Sequence, residues 1–147
     1  MERFLSIDYG DKNIGLAVSD TSNSIALPLL TITRKDKYTI KPYVSQIGSI
    51  LKEHNITTIV LGFPKNMDNT LGERAKITLD FKDRLHRNFK KIDIVLWDER
   101  LSTNLAERLL REQNIPAVKQ KNVIDQLSAC IILQDFLGYL SHKTSSA

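Results

Sequence analysis

The residues with the most chemical content in this 147-residue chain are acids far apart in sequence: Asp8, the adjacent pair Asp98 and Glu99, and Asp125. Asp8 ends a nearly apolar run, RFLSIDY, just before Gly10. Asp98 and Glu99 hold the matching place after IDIVLW, and Asp125 opens an apolar stretch that must pack on whatever those runs build. Ligands of open α/β sheets gather at the carboxyl ends of strands, so two such runs laid parallel bring their acids to one sheet edge. An oxygen-only set, without His or Cys at ligand spacing, suits a hard cation, Mg²⁺ or Mn²⁺. Each acid also has an ordinary structural use. Asp8 can start a turn, and Asp125, three residues after Asn122, can belong to a helix cap. One of Asp98 and Glu99 can be a solvated strand end. Glu99 is preferred as the ligand because its longer side chain reaches from beyond the strand. Asp98 is better suited to accept backbone N–H groups where the chain turns toward Ser102.

Other chemistries find less support. His54, His86 and His142 stand alone, no Gly-x-Ser-x-Gly elbow occurs, and Gly10 and Gly15 make neither a dinucleotide fingerprint nor a P-loop. Cys130 lies inside an apolar helix, where a thiol serves as a small hydrophobe, and Trp97 reads as core packing rather than base stacking. Cations fall in two groups. Lys82, Arg84, Arg87, Lys90 and Lys91 crowd the end of a helix, where they either answer the helix dipole or form a phosphate patch. Lys12, Arg100, Lys119 and Lys121 lie near the acids in sequence and are the candidates for holding a nucleic-acid backbone.

The elements that must position these groups follow from the apolar pattern. Residues 3–9, 14–19 and 25–33 read as strands, the first two joined as a hairpin through Gly10-Asp11-Lys12-Asn13. Pro28 assigns the third to an edge or a bulge, since proline cannot donate to the ladder. Ile40, Val44, Ile47 and Leu51 mark a helix face, with Pro42 tolerable only in its first turn. TTIVLG at 57–62 is a strand buried on both faces. Thr70 to Glu73 has capping-box spacing for a helix over 71–88. A strand over 92–97, a helix from Ser102 or Thr103 to Gln113, a break at Pro116 and a buried helix over 123–140 complete the chain. Three strands followed by alternating helices and strands imply an α/β fold with a mixed sheet and helices on both faces.

Composition bounds the rest. Hydrophobic residues are 41% and charged residues 26%, an ordinary globular balance. The length suits one domain, residues 1–140, with 141–147 as a polar tail. No apolar run nears the roughly 20 residues of a membrane span. With one cysteine and no signal-peptide pattern, a cytoplasmic protein is expected. The formal net charge is +4, which favours a polyanionic partner.

Four blocks in order, IDYGDKNIGLAVSD, LGFPKNMDNTLGERA, WDERLST and KNVIDQLSACIILQDFL, resemble the signature blocks of the YqgF family, also called RuvX. The resemblance covers most of the chain. It implies an RNase H-like fold related to the Holliday-junction resolvase RuvC, with a five-stranded mixed sheet: a three-strand antiparallel meander plus parallel strands, flanked by helices. It implies a nuclease that matures the 5′ end of the 16S rRNA precursor. The family's acids carry over onto Asp8, one of Asp98 and Glu99, and Asp125. RuvC-type resolvases put an acid at the end of the fourth strand, where this chain has Gly62-Phe63-Pro64. The expected partner is nucleic acid, RNA ahead of DNA, within ribosomal precursor particles; oligomeric state is open. The alternatives are a junction resolvase acting on DNA and a catalytically silent RNA-binding module. An ATPase of the actin and sugar-kinase type would need a second Asp-x-Gly strand-hairpin, which this chain lacks.

Overall fold

The structure, a computed structural model, describes residues 2–64, 70–98 and 117–145, and within the last stretch the side chains of residues 127–143. The expected helix from Ser102 or Thr103 to Gln113 lies outside the described residues.

Strands β1 (Phe4–Tyr9), β2 (Asn13–Ser19) and β3 (Ala26–Thr33) form an antiparallel meander, and β4 (Thr58–Phe63) and β5 (Asp93–Asp98) extend it in parallel. The sheet order is β3-β2-β1-β4-β5, so β1 is the central strand, where antiparallel pairing gives way to parallel. Pro28 meets both of its expectations. It sits on the edge strand β3, and the register slips there, with Leu16 opposite Leu30 and Ala17 opposite Pro28. A bulge absorbs the missing ladder donor.

Helices α1 (Lys41–Glu53) and α2 (Glu73–Asn88) cover one face, and α3 (Ala117–Ser145) covers the other. Successive side chains alternate across a sheet, and two cores result. Leu5, Ile7, Ile59 and Leu61 pack under α1 and α2 with Val44, Ile47, Phe81 and Leu85. Phe4, Ala17 and Val60 pack under α3 with Ala129, Ile132, Leu133 and Phe136. All six residues of β4 are buried, which explains its lack of polar alternation.

Helix ends differ from the sequence expectation in instructive ways. Pro42 falls in the first turn of α1, where its missing N–H costs nothing. The helix closes through Asn55 at φ 54°, with Ile56 N–H bonded to Leu51 O and Asn55 N–H to Lys52 O. This is a Schellman closure with asparagine in the left-handed position. The capping box at Thr70 does not form: α2 starts at Glu73 with an extended Gly72 at its N-cap and no side-chain capping bond. Glu73 is thus the first helical residue rather than the third, so it cannot reach back in the capping-box manner. Helix α3 begins directly after Pro116 and runs on past Leu140 to Ser145.

Candidate active site

Asp8 lies on the central strand one residue before its C-terminal end and is half-buried. It belongs to the strand rather than to the turn, which is closed between backbone groups by Gly10 N–H and Asn13 O. Asp8 pairs with Gly15 of β2, and one step beyond the Ile7–Leu61 pair its neighbour on β4 is Gly62. Both strand neighbours of Asp8 are thus glycines, which contribute no side chain beside it.

The face of the sheet is set by alternation. Asp8 shares its face with Phe4 and Ser6, and that is the α3 face. Phe4 meets the Phe136 ring edge-on at 5.3 Å, and Ser6 Oγ donates to Ala129 O at 2.6 Å. Helix α3 therefore runs antiparallel to β1. Two further strand residues advance about 6.6 Å, equal to about four residues of helix at 1.5 Å each. That brings the α3 backbone at position 125 level with Asp8. The side chains of Asp125, Lys119 and Lys121 lie outside the described residues, as do Glu99 and Arg100.

Asp98 is described, and its position separates it from Asp8. In β5, Ile94 and Leu96 pack with the α1–α2 core, whereas Val95 and Trp97 pack with the α3 core. Asp98 pairs with Phe63, is exposed, and by alternation belongs with Leu96. Asp8 and Asp98 are thus on opposite faces of the sheet. Trp97 packs as core, edge-on to Phe136 at 5.5 Å.

The turn that follows Asp8 is held by residues that sequence reasoning missed. A Cβ on Gly10 would stand 2.6 Å from Asn13 O, so the turn is closed to any larger residue. Arg34, only 6% exposed, donates to Gly10 O at 2.7 Å and to Lys37 O at 2.8 Å. Its guanidinium lies 4.7 Å from the Tyr9 ring centroid, a cation–π contact. Arg74 donates to Tyr9 O and bonds Asp11 Oδ1 at 2.6 Å. A cation in the first turn of a helix opposes the dipole, and that misplacement was the available signal for Arg74. Tyr9 stacks on Phe81 at 3.8 Å. Burial raises the Tyr9 phenol pKa against the opposing charges of Arg34 and Arg74, so Tyr9 stays neutral at physiological pH. Lys12 is exposed at the hairpin tip, on the sheet edge where β1 ends. Burial pushes the Cys130 thiol up to about 11, which leaves it inert as a nucleophile.

Among the described residues no three potential ligands gather into a cation site. The donor chemistry of Asp8 still fits a hard divalent ion, since a carboxylate is an oxygen ligand.

A family model described as RuvX, Holliday junction resolvase, matches residues 2–139. A protein of Acetivibrio thermocellus named "Putative pre-16S rRNA nuclease" is 42% identical over 141 residues, 96% of each chain. A Staphylococcus aureus protein of the same name is 40% identical over 138 residues, 94% of this chain and 96% of its own. Among solved structures, Thermus thermophilus RuvC in complex with Holliday junction substrate superposes with a TM-score of 0.54 at 15% identity, covering 94% of this chain and 97% of its own. The fowlpox virus Holliday junction resolvase gives 0.51 at 14% identity over 95% and 99%. At these identities the two structures speak for the fold: the RNase H-like arrangement of RuvC.

Proposed function

From the premise that the chain belongs to the RuvX family, we propose that it is a metal-dependent nuclease that hydrolyses phosphodiester bonds in the 5′ region of precursor 16S rRNA. The observation that carries this reading is Asp8: a carboxylate at the C-terminal end of the central strand, flanked by glycines. The substrate comes from the names of relatives at 40% and 42% identity. In this reading Asp8, Glu99 and Asp125 hold a divalent ion, Mg²⁺ or Mn²⁺, which supplies Lewis-acid activation of water and neutralises charge at the phosphate. The residues do the positioning. Lys12, Arg100, Lys119 and Lys121 hold the backbone on either side of the cleaved bond. Arg34 and Arg74 fix the carbonyls of Gly10 and Tyr9 and so hold the strand end that carries Asp8. The proposed place of work is the cytoplasm, on ribosomal precursors. Among the described residues no helix is long and apolar enough to cross a membrane.

The test is cleavage by purified protein, with Mg²⁺ and with chelator, of precursor rRNA, single-stranded RNA and four-way DNA junctions. Cleavage of the precursor that is lost with chelator and in folded D8N is expected. A folded D8N protein that cuts like wild type overturns the role of Asp8. Preferred cleavage of the DNA junction, the substrate in the family description, overturns the choice of RNA.

A further inference from the structure

A groove of about 1280 Å³ runs between α1 and the end of α2. It lies where β4 and β5 begin, beside Thr57 and Ile92, whereas Asp8 stands at the opposite end of the sheet. A six-residue strand separates the two ends by about 20 Å. Six cations line the groove, Lys41, Lys52, Arg84, Arg87, Lys90 and Lys91, and among the described residues no carboxylate does. The floor is apolar, built from Ile56, Ile92 and the half-buried Phe89 ring. Gly48 makes that floor possible: a Cβ there would stand 2.9 Å from Phe89 Cε1.

Helix electrostatics explains only part of this charge. Lys52 and Arg87 sit in the last turns of their helices, where cations are favoured. Lys41 is at the opposite end of α1, where a cation is disfavoured, and Lys90 and Lys91 lie beyond α2 altogether. Cations gathered from both ends of one helix and from a following turn share only the groove.

We propose that this groove is a second binding surface for single-stranded RNA, distinct from the cleavage site; the choice of RNA rests on the proposed function. Lys41 and Lys52 are about 16 Å apart along the helix, enough for several successive phosphates. The apolar floor with an aromatic ring suits unpaired bases, which stack without regard to sequence. A duplex hides its base faces and gains only from the rim. The groove therefore holds a flanking unpaired segment of the transcript and anchors it about 20 Å from the bond to be cut.

The experiment measures binding of labelled single-stranded RNA in chelator, so that cleavage plays no part. R87E/K91E is compared with K37E/K143E, which makes the same charge change on exposed lysines outside the groove. All four positions are exposed, and melting curves confirm folding. The groove variant should bind several-fold more weakly than the control, with a salt slope shallower by about 1.4, at about 0.7 for each phosphate left without its cation. Unchanged binding, or equal weakening in both variants, overturns the proposal. A duplex that loses as much affinity as the single strand overturns the assignment to unpaired RNA. Failure of the nuclease reading shows separately: a wild type that never cuts precursor rRNA, yet loses RNA binding only in R87E/K91E, refutes the activity and keeps the groove.

Discussion

Replacing Arg34 with methionine tests what secures the strand end that carries Asp8. The guanidinium is 6% exposed and bridges Gly10 O and Lys37 O, tying the β1–β2 turn to the segment after β3. Each bond from a charged donor contributes about 1.5–3 kcal/mol. The contact with the Tyr9 ring, at 4.7 Å, adds about 1 kcal/mol. Against this stands the cost of burying a cation, several kcal/mol, aggravated because Arg34 Nε is buried with no partner. Methionine keeps most of the stem volume and removes both the bonds and the buried charge. The balance is a net loss of about 2 kcal/mol, since the two bonds together exceed what relief of desolvation returns. For a chain of this size that is a fall in Tm of about 4–8 °C. R34K should fall between, because one ammonium cannot span both carbonyls as the fork does. Urea unfolding with an unchanged m-value measures the difference. An R34M midpoint equal to or above wild type would refute the reasoning, showing that desolvation outweighs the bonds and that the hairpin is held by other contacts.

Three further outcomes are expected. G10A should destabilise by about 2 kcal/mol or more, because its Cβ meets the backbone oxygen of Asn13 at 2.6 Å and backbone cannot swing aside; thermal melting checks it. D98N should keep metal-dependent cleavage and E99Q should lose it, since Asp98 lies on the face opposite Asp8; the reverse result in a cleavage assay would move the site to the α1–α2 face. The Asp20 carboxyl is held below its ordinary value of 3.8 by the Ile25 N–H, the Ser22 hydroxyl and the Ser24 N–H. A lowered native value gives stability that is fully present above 3.8 and lost as pH falls from there through the lowered native value. Wild type should therefore exceed D20N in denaturant titrations at neutral pH, with the gap closing on acidification.

The sheet was legible because each strand is an apolar run ended by a turn former, and because proline rules placed β3 on the edge. Helix starts were less so. Thr70 and Glu73 have the spacing of a capping box, but backbone at Gly72 takes the N-cap, a choice that spacing alone does not reveal. The site was legible in part. Asp8 stands out by its place, yet Asp98 and Glu99 could not be separated while both faces of their strand were apolar. The pairing of β5 with β4 divides those faces between two cores. Arg34 was invisible because its partners are main-chain carbonyls, which no side-chain pattern marks, and Arg74 showed only as a cation at the wrong end of its helix. The cations at the end of α2 were visible as a run, but Lys41 and Lys52 join them only when α1 packs alongside.

The bond between Ser6 and Ala129 spans 123 residues. Contacts of such separation form late, since the loop between them must close first, and a chain leaving the ribosome exposes its N-terminal part long before its end. The β1–β2–β3 meander and the α1–α2 core can assemble from residues already synthesised. The opposite face, which carries Asp8, stays uncovered until α3 has emerged and folded down. During biosynthesis this protein therefore holds its sheet before it holds its site.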